Sequence, residues 1–174
     1  MQIISNPSAQ IKPASVHFVA AYRVALVRDQ ELPFEQATLC NSFQARTVVR
    51  RLIDACGQSD REQLGVILLD GKNKIIGLNI VSTGTISSAP AWPRDIVKPA
   101  ILANASAIIL FHNHPSGDVA PSREDEAVTL KVIKACFALD IRVHEHIIVS
   151  MLDDGYHSMA DHGAIERMYR EVAQ

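Results

Sequence analysis

Cysteine is scarce in this chain: Cys40, Cys56 and Cys136 are all that 174 residues contain. The three are odd in number and far apart, and no two stand as Cys-x-x-Cys. They read as reduced thiols of a reducing compartment, not as a disulfide framework. Positive charge is not in excess either. Lys and Arg number 17 against 19 Asp and Glu, a formal net charge of −2, with a pI of about 6.4. That balance supplies no overall basic field, which a protein living on phosphate contacts would have. No apolar run approaches the roughly 18–20 residues of a membrane span. The N-terminus, Met-Gln-Ile-Ile-Ser-Asn-Pro, lacks the basic segment and apolar core of a signal peptide. No internal repeat or low-complexity tract is visible. These absences point to a cytoplasmic globular protein that makes no use of a membrane.

What remains is ordinary in bulk, with 48% apolar and 21% charged residues, and long enough for one sizeable core. Residues 1–20, with Pro7 and Pro13, read as an arm, and residues 21–174 as a single domain. A first strand is expected over residues 18–28. Val48, Val49, Leu52, Ile53 and Cys56 lie at helical spacing, so residues 44–56 are expected to form a helix with Gly57 at its C′ position. Two apolar runs, 61–70 and 75–83, separated by Gly71-Lys72-Asn73-Lys74, predict a hairpin. Pro93 and Asp95 open a helix to about residue 104. A strand over 107–113, a helix over 122–139, a strand over 143–150, a short strand over 156–159 and a helix over 161–171 follow. This order predicts a mixed α/β domain with helices flanking a central sheet.

The chemistry concentrates in residues 107–125. His112 and His114 are two apart, so on a strand both face the same side as Ile108 and Leu110. Pro115 stops the strand, having no N–H for a ladder. Ser116-Gly117-Asp118 turns the chain, and Ser122 starts a helix with Asp125 in its first turn. A buried strand has no reason to end in two imidazoles without a partner for them. Two imidazoles and a carboxylate suit a divalent metal site with one open position. Asp125 and Ser122 are also explained by a capping box, which needs no metal. Glu124, Glu126 and Asp118 compete with Asp125, although helical residues diverge by about 100° each, so at most one helical acid faces the strand.

Zinc held by three protein ligands would bring the pKa of a fourth-position water to about 7 and polarise a carbonyl. A hydrolase also needs a base, and Glu62, at the start of a very apolar strand, is the candidate. Ordinary exposed acids occupy strand ends as well. Ser122 could donate to a developing oxyanion.

Glu62 with Gly65-Val66, His112-x-His114-Pro115 and Ser122-x-x-Asp125 together resemble the JAMM signature of the JAB/MPN metalloproteases. The form His-Asn-His-Pro-Ser-Gly resembles its bacterial RadC-like branch, and the likeness runs from about Tyr22 to Met159. It implies a cytidine-deaminase-like three-layer α/β/α sandwich around a mixed sheet. It also implies zinc on His112, His114 and Asp125, Glu62 as general base, and Ser122 stabilising the tetrahedral intermediate. Eukaryotic members cleave isopeptide bonds of ubiquitin-like proteins, so a protein or peptide amide is the implied substrate.

Two departures stand out. Longer RadC-like proteins carry an N-terminal helix-hairpin-helix region suited to DNA; with only about 20 residues before the first expected strand, that region is not expected here. His144-Glu145-His146 stands where the family more often has Leu-Asp-His, which offers His144 and His146 as a rival pair on one strand face. No third ligand with proper spacing follows, so the favoured reading is a supporting or solvent-exposed role for both. The alternative function is a nucleic-acid-binding or nuclease-like protein, since the RadC name carries a historical link to DNA repair. Arg50, Arg51, Arg94 and Lys98 are the residues that could form a basic patch for it. A metal-bound but inactive interaction module is the third reading. Substrate identity and oligomeric state are not legible in the sequence.

Overall fold

Strands β1 (Gln63–Leu69), β2 (Ile75–Thr83), β3 (Ala107–His114), β4 (Arg142–Ser150) and β5 (Tyr156–Ser158) form one mixed sheet in the order β2-β1-β3-β4-β5. The computed structural model describes residues 25–34, 37–84 and 92–174. β1 runs antiparallel to β2 and β3, β3 runs parallel to β4, and β4 runs antiparallel to β5. Helix α1 (Ser42–Cys56) follows an irregular lead, α2 (Pro93–Leu102) joins β2 to β3, α3 (Arg123–Phe137) joins β3 to β4, and α4 (Ala164–Val172) ends the chain.

Side-chain alternation on the central strands makes two cores. Val66, Leu68, Ile108 and Leu110 pack with Ile96 of α2, Val132 and Ile133 of α3, and Ile165 and Met168 of α4. Ile67, Leu69, Ile109 and Phe111, from the other face, pack with Val48, Val49, Leu52 and Ile53 of α1. β1 and most of β3 are buried on both sides, which is why they read as continuous apolar runs. The result is the expected three-layer α/β/α sandwich with a mixed central sheet.

Several expectations need correction. The strand expected over 18–28 falls partly outside the described residues. Its described part, from residue 25 onward, is irregular, and Leu26 and Val27 are 51% and 89% exposed. No sheet edge receives them. The only pairing before α1, among the described residues, is a single bridge between Thr38 and Lys74. The arm at 1–20 also lies outside the described residues. α1 starts two residues earlier than its apolar spacing suggested, because Asn41 Oδ1 accepts from Gln44 N at 2.9 Å and so caps it. Gly57 caps α1 in an extended conformation (φ −89°), not a left-handed one. Its need for glycine is steric, since a Cβ there would meet the Ile53 Cα at 2.7 Å. The last helix begins at Ala164 because residues 161–163 turn on Gly163, at φ 73°.

β4 holds the most consequential surprise. Ile108 pairs with Val143 but Ile109 pairs with Glu145, so His144 is an extra residue in a β-bulge. The bulge breaks the two-residue alternation. His146 points into the core shared with α3 and is wholly buried, whereas His144 is exposed on the other side, with Nε2 3.1 Å from Asn73 Oδ1. The two cannot act as a pair of ligands on one face.

Candidate metal centre

The site forms where β3 ends and α3 begins. His112 and His114 leave β3 on the same face, as their spacing requires. Their Nε2 atoms come within 2.9 Å of each other. Asp125 enters from the first turn of α3, its Oδ1 3.4 Å from His112 Nε2. One donor atom from each residue lies within 4.8 Å of the others. Of the competing acids, Glu124 is exposed, Glu126 pairs with Arg167 at 3.3 Å, and Asp118 Oδ1 caps Ala120 N at 2.9 Å. Asp125 alone turns inward, at 2% exposure.

The capping box is real and is built into the site. Asp125 Oδ2 accepts from Ser122 N at 2.8 Å and from Ser122 Oγ at 2.7 Å, and Asp125 N donates back to Ser122 Oγ at 3.1 Å. One carboxylate oxygen therefore serves the helix start and the other faces the imidazoles. Burial works against the Asp125 charge, but bonding to His112 and the two donors of Ser122 hold its carboxyl well below the usual range. Burial likewise pushes the His112 imidazole down, toward its neutral, ligating form, against the pull of Asp125 and of Glu62. His114 Nδ1 bonds the backbone carbonyl of Asp118. A carbonyl only accepts, so His114 donates from Nδ1, and the neutral ring then presents the Nε2 lone pair to the site. A bare nitrogen 2.9 Å from a second imidazole nitrogen, beside an ionised carboxylate, requires a proton or a cation between them. Two imidazoles and a carboxylate around an open position are the donor set of a catalytic divalent metal.

Glu62 stands one residue before β1. Leu64 pairs with His112, and the strand alternation places Glu62 on the same face as the histidines. Its charge acts on His112. Its backbone is held on both sides by Asn113, the residue between the two histidines. Asn113 Oδ1 accepts from Gln63 N at 2.8 Å, and Asn113 Nδ2 donates to Arg61 O at 2.8 Å. Sequence reasoning passed over Asn113. The available signal was a wholly buried-strand position occupied by an amide, which demands hydrogen-bond partners. Thr129, which contacts His146, was missed as well and carried no such signal, since a threonine in the second turn of a helix is unremarkable. Ser122 is brought to the site as a cap. Its single hydroxyl proton is engaged by Asp125 Oδ2, so meeting an oxyanion would require it to leave that carboxylate.

The basic residues do not assemble. Arg50 and Arg51 belong to α1 and Arg94 and Lys98 to α2, on opposite faces of the sheet. Arg50 bonds the carbonyls of Ser150 and Asp153, Arg51 reaches Pro33 O at 3.3 Å, and Lys98 pairs with Asp95 at 3.2 Å. Among the described residues, no helix is long and apolar enough to cross a membrane.

A comparison with known families matches residues 42–164 to the RadC-like JAB domain. The chain belongs to the RadC-like JAB domain family. A UPF0758 protein of Rubrobacter xylanophilus is 47% identical over 106 residues, covering 61% of this chain and 45% of that protein. A UPF0758 protein of Symbiobacterium thermophilum is 37% identical over 153 residues, covering 88% of this chain and 63% of that protein. The chain thus spans about half to two thirds of the length of these curated relatives. Within this RadC-like domain, the corner of β3 and α3 lies inside the matched region, as does Glu62.

Proposed function

We propose that this RadC-like domain is a zinc-dependent amide hydrolase, a metallopeptidase or isopeptidase acting on a protein or peptide in the cytoplasm. The observation that carries the reading is the convergence of His112 Nε2, His114 Nε2 and Asp125 Oδ1 next to a strand start bearing Glu62. Zinc held by these three ligands would supply Lewis acidity and lower the pKa of a water to about 7. Glu62 takes the proton of the attacking water and delivers it to the leaving amine, the ordinary duty of a general base that turns acid. Asn113 keeps Glu62 at the strand edge by fixing the peptide groups before and after it. Ser122 holds Asp125 with one oxygen turned to the imidazoles. Its hydroxyl reaches an oxyanion only by giving up Asp125 Oδ2, so orienting the carboxylate is its first role.

The test starts from elemental analysis of freshly purified protein, where about one zinc per chain is expected, and His114→Ala should lose it. Glu62→Ala should keep the zinc and lower hydrolysis of a fluorogenic peptide library by about 10²–10⁴-fold. Protein that arrives without metal and takes up none would refute the reading. Steeply salt-dependent DNA binding without amide hydrolysis would favour the nucleic-acid function instead.

A further inference from the structure

We infer that Thr129 and His146 are positioning residues that dictate which nitrogen of His112 carries its proton, and so turn the Nε2 lone pair toward the metal position. The inference rests on the metal reading above. It starts from four buried groups in a row. Thr129 Oγ1 lies 2.6 Å from Asp125 O. It also lies 2.5 Å from His146 Nδ1. His146 Nε2 lies 2.8 Å from His112 Nδ1. Thr129, His146 and His112 are each wholly buried, so no solvent water is at hand to relax the pattern.

With both rings in the neutral form that their complete burial favours, proton counting leaves one arrangement. A carbonyl oxygen only accepts, and two oxygens 2.6 Å apart need a proton between them, so Thr129 donates to Asp125 O. Its one proton is then committed. The Met159 sulphur, 3.7 Å away, is a weaker acceptor and does not compete. Thr129 must therefore accept from His146, which places the His146 proton on Nδ1. His146 Nε2 is left bare and accepts from His112 Nδ1. His112 Nε2 is then bare and faces His114 and Asp125. The series begins on the backbone of Asp125 and ends on the ring of His112, so one ligand's helix sets the protonation of another ligand. The β4 bulge is what makes this geometry available, because it alone brings His146 to the α3 face. Hydrogen bonds behind a metal-binding imidazole fix its tautomer and orientation, and losing them typically weakens metal affinity by about 10–100-fold.

Long-range 1H–15N NMR of histidine-labelled chain reads the His146 tautomer directly, metal-free and zinc-loaded. The expected result is a proton on Nδ1 and none on Nε2 in both states. Thr129→Val removes the acceptor, so His146 should shift to the Nε2–H form. Zinc affinity, measured by competition with a chromophoric chelator, should then fall about 10–100-fold. Thr129→Ser, which restores the hydroxyl, should restore both readouts, something a purely packing role would not do. His146 protonated on Nε2 in the unmodified chain would overturn the inference. So would a folded Thr129→Val chain binding zinc as tightly as the parent. If Thr129→Val fails to fold, the tautomer in the unmodified chain decides alone. If the chain binds no zinc, the proposed function falls while the tautomer still judges this relay.

Discussion

Replacing Asn113 with alanine should loosen the strand edge that carries Glu62, and the size of the effect can be worked from two hydrogen bonds. Asn113→Ala strips the acceptor from Gln63 N and the donor from Arg61 O, each now bonded at 2.8 Å. Gln63 is 3% exposed, so its N–H finds no water in exchange. An unmatched buried group costs about 1–3 kcal/mol, so two would total about 2–6 kcal/mol. Arg61 is itself exposed, which lets water reach its carbonyl and puts the expected loss in the lower half, about 2–4 kcal/mol. A domain with a typical margin of about 5–15 kcal/mol survives that. Urea unfolding should show a lower midpoint at an unchanged slope, and the Gln63 amide should lose hydrogen-exchange protection. Zinc should stay bound while hydrolysis falls. A stability change under about 0.5 kcal/mol, the ordinary range of a surface substitution, together with an unchanged Gln63 amide, would refute the clamp.

Gly65→Ala should destabilise the domain by about 3 kcal/mol, the upper end for overpacking. The new Cβ would lie 2.2 Å from Phe111 Cζ and 2.5 Å from Asn79 O, and a backbone oxygen cannot rotate away. Denaturant titration checks this, and a change under 1 kcal/mol would contradict it. The Glu145 pKa is raised above its ordinary 4.5 by burial, which outweighs the bonds from Ser158, Ala160 and His146. The folded chain therefore holds a proton there after the unfolded chain has lost it, and stability falls as pH rises from about 4.5 through the raised folded value. Glu145→Gln should flatten that part of the pH–stability curve, and an unchanged slope would count against the assignment. Burial pushes the Cys136 thiol up to about 12, while Cys40 and Cys56 are exposed. Native protein should expose two of its three thiols to a disulfide reagent and the third only on unfolding. Equal reaction of all three in native protein would show that α3 does not seal Cys136.

The corner of β3 and α3 was legible because each of its parts obeys a local rule. A two-residue spacing on an apolar strand puts His112 and His114 on one face, and a capping pattern puts Asp125 in the first turn of α3. The hairpin of β1 and β2 and the helices of both layers follow from periodicity for the same reason. What local rules miss is set by partners far along the chain. Irregular backbone after residue 25 shows that β-rich composition makes no strand without a sheet edge to join. The His144 bulge is invisible to spacing, because only pairing with β3 reveals the extra residue. Asn113 and Thr129 acquire their roles from residues 61, 63 and 146, which no window around them contains.

The division of the Asp125 carboxylate has a consequence for how an ion would arrive. Oδ2 is already occupied by the Ser122 amide and hydroxyl, and Oδ1 is turned to the histidines. The rotamer freedom that a ligating side chain would otherwise surrender on binding has been surrendered when α3 began to form. Helix initiation and ligand placement are thus a single folding event. Any substitution that frays the first turn of α3 would be felt as weaker ion affinity long before it registered as lost structure.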